Sequence, residues 1–273
     1  MVKERNMSRL IDRLERLSEG RDQPLGFGTA VSRVKSLPVL VVASVPVENV
    51  NPAVIAQIEG VDAILIKVEH HKKKTESLIK LNSKKLDFTW GVLAETITRE
   101  ESQQLVENGC DFVIFAPDET PAAMLREDRI GKILQIDTCL SEDLARAIRH
   151  LSVDAVFLMP ASKDEYPLTV HQLMIYARLA AGAGKHLLAY IPGGITDEDL
   201  ESLWELGVRG VVVDIMPGDN AEQKLAQVMK AIEKLPRTRK KHREKSRATL
   251  PLPSPSTNSV TEEEEEEEEE EDN

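Results

Sequence analysis

The sequence predicts an α/β fold, a single (β/α)8 TIM barrel, on three observations. A phrase recurs four times in which a helix ends, a small turn follows and an apolar strand begins. The copies are Gly60-Val61-Asp62-Ala63-Ile64, Gly109-Cys110-Asp111-Phe112-Val113, Ser152-Val153-Asp154-Ala155-Val156 and Gly207-Val208-Arg209-Gly210-Val211. They lie 43 to 55 residues apart, the length of a two-strand, two-helix unit, and four such units make the barrel. The strands are also near-continuous apolar runs, as parallel strands covered on both faces must be. Finally, about 236 of the 273 residues precede an abrupt change of composition, which suits a barrel of ~250 residues with short loops. The competing fold is an open doubly wound sheet. It lacks support because the turn after the first strand, Val45-Pro46-Val47-Glu48-Asn49, has no glycine for a dinucleotide.

The chain divides into residues 1–37, an N-terminal helix and loop packing on the barrel; 38–236, the barrel; and 237–273, a tail. Over 8–19, Ser8 can cap and Leu10, Ile11, Leu14 and Leu17 recur at helical spacing, so this helix is placed across the barrel's bottom. Strands are predicted at 38–45, 62–68, 86–93, 111–116, 131–137, 154–159, 186–191 and 209–214. Helix starts are marked by Asn51-Pro52 and Thr120-Pro121, a cap followed by proline. Capping-box spacings join Thr98 to Glu101, Thr169 to Gln172 and Thr196 to Asp199, and Ser141 and Asp219 can cap the remaining helices. The repeated turns then open strands 2, 4, 6 and 8 at the bottom of the barrel. Asp62, Asp111 and Asp154 read as turn and stability residues, and Arg209 breaks the pattern in the fourth copy. The stripe Leu173, Met174, Tyr176, Ala177, Leu179 and Ala180 reads as packing of the sixth helix. Trp90 and Gly91 are placed at the end of strand 3, with Trp90 a packing residue.

Apolar residues make up 41% of the chain and aromatics only 4%, so the core must be built from Val, Ile, Leu and Ala. No apolar run approaches the ~18 residues of a membrane-spanning helix, and the N-terminus lacks the apolar centre of a secretory signal. Cys110 and Cys139 fall in no metal or redox spacing and lie toward opposite barrel ends, which fits reduced thiols and a cytoplasmic protein. The net charge of -12 argues against nucleic-acid binding, which needs a positive footprint. Residues 237–273 carry a basic run, a Pro/Ser-rich stretch and ten consecutive glutamates, a composition expected to be disordered. A solvated acidic tail is the plain expectation, and a tether to a basic protein partner the sharper one.

Chemistry in such barrels sits at the C-terminal ends of the strands. Lys67 ends the apolar run Ala63-Ile64-Leu65-Ile66 there, where a lysine can hold an anion, donate a proton or form a Schiff base. The basic lip His70, His71, Lys72, Lys73 and Lys74 follows it. Glu69, Glu95, Asp137 and Asp214 also reach the rim. Glu95 with Asp137 can serve as base and acid, or bind magnesium through oxygen ligands; no dense ligand spacing specifies a metal. After strand 7, Gly193, Gly194 and Ile195 form a turn into a helix, where backbone N–H groups and the helix dipole favour an anion.

This turn resembles the ribulose-phosphate-binding barrel superfamily, whose members often carry a Gly-Gly-Ile-like turn after strand 7, followed by a helix and an Ala/Gly-rich strand 8. The resemblance covers 186–214 by motif and 38–235 by architecture, and implies a small phosphorylated substrate. It departs after strand 8, where the superfamily places a second small N–H-donating turn and this chain has Asp214-Ile215-Met216-Pro217-Gly218-Asp219. Sugar-phosphate isomerase barrels pair a strand-5 aspartate with one on strand 1. This sequence has Asp137 but only Ser44 near the end of strand 1. The expected function is therefore a lyase, aldolase or isomerase acting on a small phosphorylated or carboxylated metabolite. In it Gly193 and Gly194 hold the anion, Lys67 is the acid, Glu95 or Asp137 is the base, and no cofactor beyond magnesium is called for. The alternative is a non-catalytic ligand- or protein-binding barrel. The sequence carries no signal for oligomeric state.

Overall fold

The structure, a computed structural model, describes residues 8–19, 37–50, 58, 60–68, 88–160, 167–192, 194–216 and 220–236. The chain runs α1 (Arg9–Glu19), β1 (Leu40–Pro46), β2 (Ala63–Lys67), β3 (Trp90–Ala94), α2 (Arg99–Glu107), β4 (Phe112–Phe115) and β5 (Gly131–Asp137). It continues through α3 (Glu142–Ala147), β6 (Ala155–Met159), α4 (Val170–Ala183), β7 (His186–Ile191), α5 (Asp197–Leu206), β8 (Val208–Asp214) and α6 (Ala221–Glu233). The eight strands pair in parallel in chain order, and β8 returns to β1, closing the barrel. The tail, Asn51-Pro52, Glu69, the basic lip, Gly193 and Asp219 lie outside the described residues.

Alternation along each strand divides the apolar side chains into two cores. Leu40, Val42, Leu65, Phe112, Ile133, Phe157, Leu188 and Val212 fill the barrel interior, while Val41, Val92, Val113, Val156, Val211 and their neighbours pack under the helices. Gly91 makes room for the interior: a Cβ there would meet the Phe112 ring at 2.5 Å. Trp90 and Gly91 begin β3 instead of ending it, and Trp90 is buried in the outer core.

The bottom is closed by α1, whose Leu10, Ile11 and Leu14 belong to the interior core. The helix is pinned by the repeated aspartates. Asp111 accepts from Ser8 Oγ at 2.6 Å and from the backbone N–H groups of Arg9 and Leu10 at 2.8 and 3.0 Å, so a residue a hundred positions away caps α1. Ser8 Oγ in turn accepts from Ile11 N. Asp62 and Asp154 do something different. Each donates its N–H to the carbonyl of a residue on the preceding strand and accepts that residue's N–H on its carboxylate: Val41 for Asp62, Lys132 for Asp154. Burial pushes the Asp62 carboxyl above its ordinary value, against the opposing pull of the Val41 N–H and Arg13, which pairs with it at 2.6 Å. Arg209, in the fourth copy, donates to the Trp204 carbonyl and lies over its ring. Gly60, Gly109 and Gly207, in three of the copies, take a positive φ (89°, 80° and 104°) that glycine adopts without strain.

The capping boxes at Thr98 and Thr169 form in full, and Ser141 caps α3. Thr196 caps α5, but Asp199 does not return the bond. Its carboxylate accepts from Leu168 N, tying the loop before α4 to α5. Asn220 caps α6. The link between β4 and β5 does not form the expected helix at Thr120-Pro121; it holds a single 3-10 segment, Ala122–Arg126, with Pro121 as its cap residue.

Asp111→Ala removes three acceptor contacts from α1 and is expected to cost about 1–3 kcal/mol in urea unfolding, with faster amide exchange confined first to residues 9–14. An unchanged midpoint would show that α1 is held by its apolar face alone. A second expectation concerns His186, whose Nδ1 lies 2.9 Å from Ser18 Oγ. Ser18 donates to the Leu14 carbonyl, so the ring N–H is the donor to Ser18. Burial lowers the His186 pKa, although Glu15, Asp154 and Glu19 oppose this. A histidine depressed on folding binds protons more readily in the unfolded chain, so stability is lost as pH falls below the ordinary value near 6.5. His186→Gln should flatten that part of a stability profile measured from pH 7.5 to 5.

Candidate functional site

Two residues beyond the last apolar inward positions, the interior becomes polar. Ser44 follows Val42 on β1, Lys67 follows Leu65 on β2, Tyr190 follows Leu188 on β7 and Asp214 follows Val212 on β8. These four strands are neighbours, in the order β7, β8, β1, β2. Register sets Ser44 opposite both Asp214 and Leu65. Lys67 reaches across β1 to bring Nζ within 2.6 Å of Asp214 Oδ1, an ion pair off the line of a directed hydrogen bond. The two side chains are 20% and 12% exposed, so the lysine head is held at the barrel mouth and does not stretch into solvent.

Two buried polar atoms in this cluster, Ser44 Oγ and Asp214 Oδ1, have no hydrogen-bond partner among the described residues. Tyr190 belongs to the interior core, and burial, followed by the Asp214 charge, pushes its phenol above the ordinary value. A phenol so raised stays protonated near neutral pH and acts as a donor. The cluster therefore offers an ammonium, a carboxylate, a neutral phenol and a hydroxyl.

The other expected residues stand elsewhere. Glu95, directly after β3, and Asp137, at the end of β5, are both exposed on the rim, with β4 between their strands. Asp137 Oδ1 accepts from the Cys139 N–H, which turns it into a loop-shaping group. Among the described residues no three His, Cys, Asp or Glu side chains gather in a metal-binding group. Of the turn after β7, Gly194 borders open space, where a Cβ would meet nothing within 4 Å. Ile195 N donates to the Pro192 carbonyl, so it is spent within the turn. The α5 N-terminus is capped by Thr196 and carries Asp197, Glu198 and Asp199 in its first turn. Those three charges already answer the helix dipole and repel an incoming dianion. Asp214 and Tyr190 were legible by counting inward positions two at a time from the apolar core, but with acidic residues so numerous, type alone did not distinguish them.

A polar cleft of about 280 Å³ lies at the opposite face, lined by Ser8, Asp128, Lys132, Asp154 and Lys185 among others. Its lysines are occupied: Lys132 donates to the Leu125 carbonyl and Lys185 to the Leu151 carbonyl. It is the seam between α1 and the barrel floor. Cys110 is buried nearby and its thiol is pushed up by burial, whereas Cys139 is exposed; both are free.

Breaking a buried ion pair from one side strands the other charge, while replacing both with apolar groups is often neutral. Lys67→Met should therefore lose about 2–4 kcal/mol in urea unfolding, and Lys67→Met combined with Asp214→Leu should recover most of it. A neutral Lys67→Met would mean that the pair is solvated.

No family model matches the chain, and no curated protein sequence does. Solved structures do match in fold. The tryptophan synthase α-subunit of Pyrococcus furiosus superposes with a TM-score of 0.54 at 12% identity, covering 72% of this chain and 97% of that one. Thiamine phosphate pyrophosphorylase from Pyrococcus furiosus gives 0.51 at 16% identity, covering 71% and 96%. At such identities the likeness is one of fold: this chain is a (β/α)8 barrel, as those enzymes are.

Proposed function

We propose that the protein is a lyase or isomerase that moves a proton on a small carboxylated metabolite at the C-terminal mouth of the barrel. The observation that carries this reading is the half-buried Lys67–Asp214 pair at that mouth, beside a buried Ser44 hydroxyl without a hydrogen-bond partner among the described residues. A buried ion pair is a poor way to stabilise a core, because desolvation offsets most of the attraction. Its chemical use is clearer. Asp214 can take a proton from carbon or oxygen, and the Lys67 ammonium can stabilise the negative charge that develops as the proton leaves. Tyr190 supplies a neutral donor to the same group. The Asp214 carboxylate engages the Lys67 head, which favours electrostatic and acid roles over a Schiff base. Glu95 and Asp137 become rim residues that contact the substrate's outer end.

The acidic first turn of α5 favours a carboxylate over a phosphate dianion, so the phosphate role of Gly193, Gly194 and Ile195 is secondary in this reading. The same acidic turn also supports the alternative, a barrel that binds a ligand or protein without turning it over. Thermal unfolding in the presence of small hydroxy- and oxo-carboxylates, sugar phosphates, inorganic phosphate and magnesium separates these readings. A true ligand at a hundredfold its dissociation constant stabilises by ~2.7 kcal/mol, a rise of several degrees. Carboxylates should raise the midpoint of the native protein and not that of the Lys67→Met/Asp214→Leu variant. A panel in which none shifts the native protein would sink the enzyme reading, and a shift that survives in the variant would move the site elsewhere.

A further inference from the structure

Helix α4 differs from every other described helix in being apolar on its outer side. Its buried residues, Tyr176, Leu179, Gly182 and Ala183, define the side turned to the barrel. On a helix of 3.6 residues per turn, the opposite side is Val170, Met174, Ala177 and Ala181. Val170 is 75% exposed and Met174 65%, so the stripe expected from sequence to pack Met174 and Ala177 inward divides, with Tyr176 and Leu179 inside and Met174 outside. The neighbouring α3 adds Leu144, 58% exposed, beside the α4 C-terminal half, where Ala145 meets Gly182.

We infer that the outer face of α4 is where two copies of this chain associate about a two-fold axis. Shape selects a second copy over other partners, and the charge of this helix permits it. A chain with net charge -12 repels its own kind, and contact between copies needs a face without acidic residues. Helix α4 has none, and its one arginine, Arg178, is tied to the Leu140 carbonyl. A basic partner would find no carboxylate on this helix. The outward residues are graded in size, with large Val170 and Met174 in the first half and small Ala177 and Ala181 in the second. Antiparallel pairing about a two-fold places Val170 over the other copy's Ala181 and Met174 over its Ala177, large on small at every level. This self-complementarity is what an isologous interface requires. Leu144 on α3 widens the apolar patch at each end. The face lies outside the barrel, so association leaves the mouth accessible.

Sedimentation velocity of the full chain over a micromolar concentration series tests this. The native protein should sediment as a dimer that dissociates on dilution. Met174→Glu, at an exposed position, should keep the thermal midpoint of the native chain when both are diluted to monomers, and weaken association by about a hundredfold, since it buries an unpaired carboxylate. In a Cys139→Ser background, a mixture of the Met174→Cys and Ala177→Cys variants should form the mixed disulfide in preference to either symmetric one. The inference is overturned by a native protein that stays monomeric, by a Met174→Glu dimer of native strength, or by cross-linking without preference for the mixed pair.

Discussion

The alternation of side chains in a closed eight-stranded barrel is the constraint on which the rest of this structure depends. Each strand sends every second residue into one small shared space, and eight strands compete for it. The Phe112 ring is admitted only because its neighbour on β3 is Gly91, where a Cβ would meet the ring. The packed lower levels leave polar groups a place only at the open end. The same two-residue step that buries Val42, Leu65, Leu188 and Val212 therefore brings Ser44, Lys67, Tyr190 and Asp214 to one side of the mouth.

The two ends of the barrel use carboxylates in opposite ways. At the bottom, Asp62, Asp111 and Asp154 accept backbone N–H groups that would otherwise lie unpaired near the core, so each negative charge is met by directed donors. At the top, Asp214 is met by an ammonium at close range while its buried oxygen lacks a directed donor. A satisfied carboxylate locks local structure; an unsatisfied one retains the capacity to accept a proton or a ligand. This contrast separates the stabilising face from the candidate functional face more sharply than residue type does.

Similar logic applies outside the barrel. Helices α2, α5 and α6 carry charge on their solvent side, whereas α4 carries Val170 and Met174. Its capping box and the Asp199 bond to Leu168 fix its start and its attachment to α5, and Arg149 binds the carbonyls of Ala181 and Gly182 at its end. The helix is thus held firmly at both termini while its outer side stays open, a rigid surface well suited to self-association.

The strand pattern and the four turns were legible because each depends on near neighbours: periodicity, a glycine that ends a helix, an apolar run that must be buried. All eight strands fall within a few residues of the expected ranges, and the bottom aspartates serve stability as their place in the repeat implied. Caps that use only residues three apart, at Thr98 and Thr169, were equally legible. What only the tertiary structure decided are the long-range partners. Asp111 caps a helix a hundred residues away, Asp199 serves a neighbouring loop in place of its own helix, and Lys67 meets Asp214 across an intervening strand. Sequence alone establishes which strand ends carry charge. Closure of the barrel, which sets β8 beside β1 and β2, decides which charges meet.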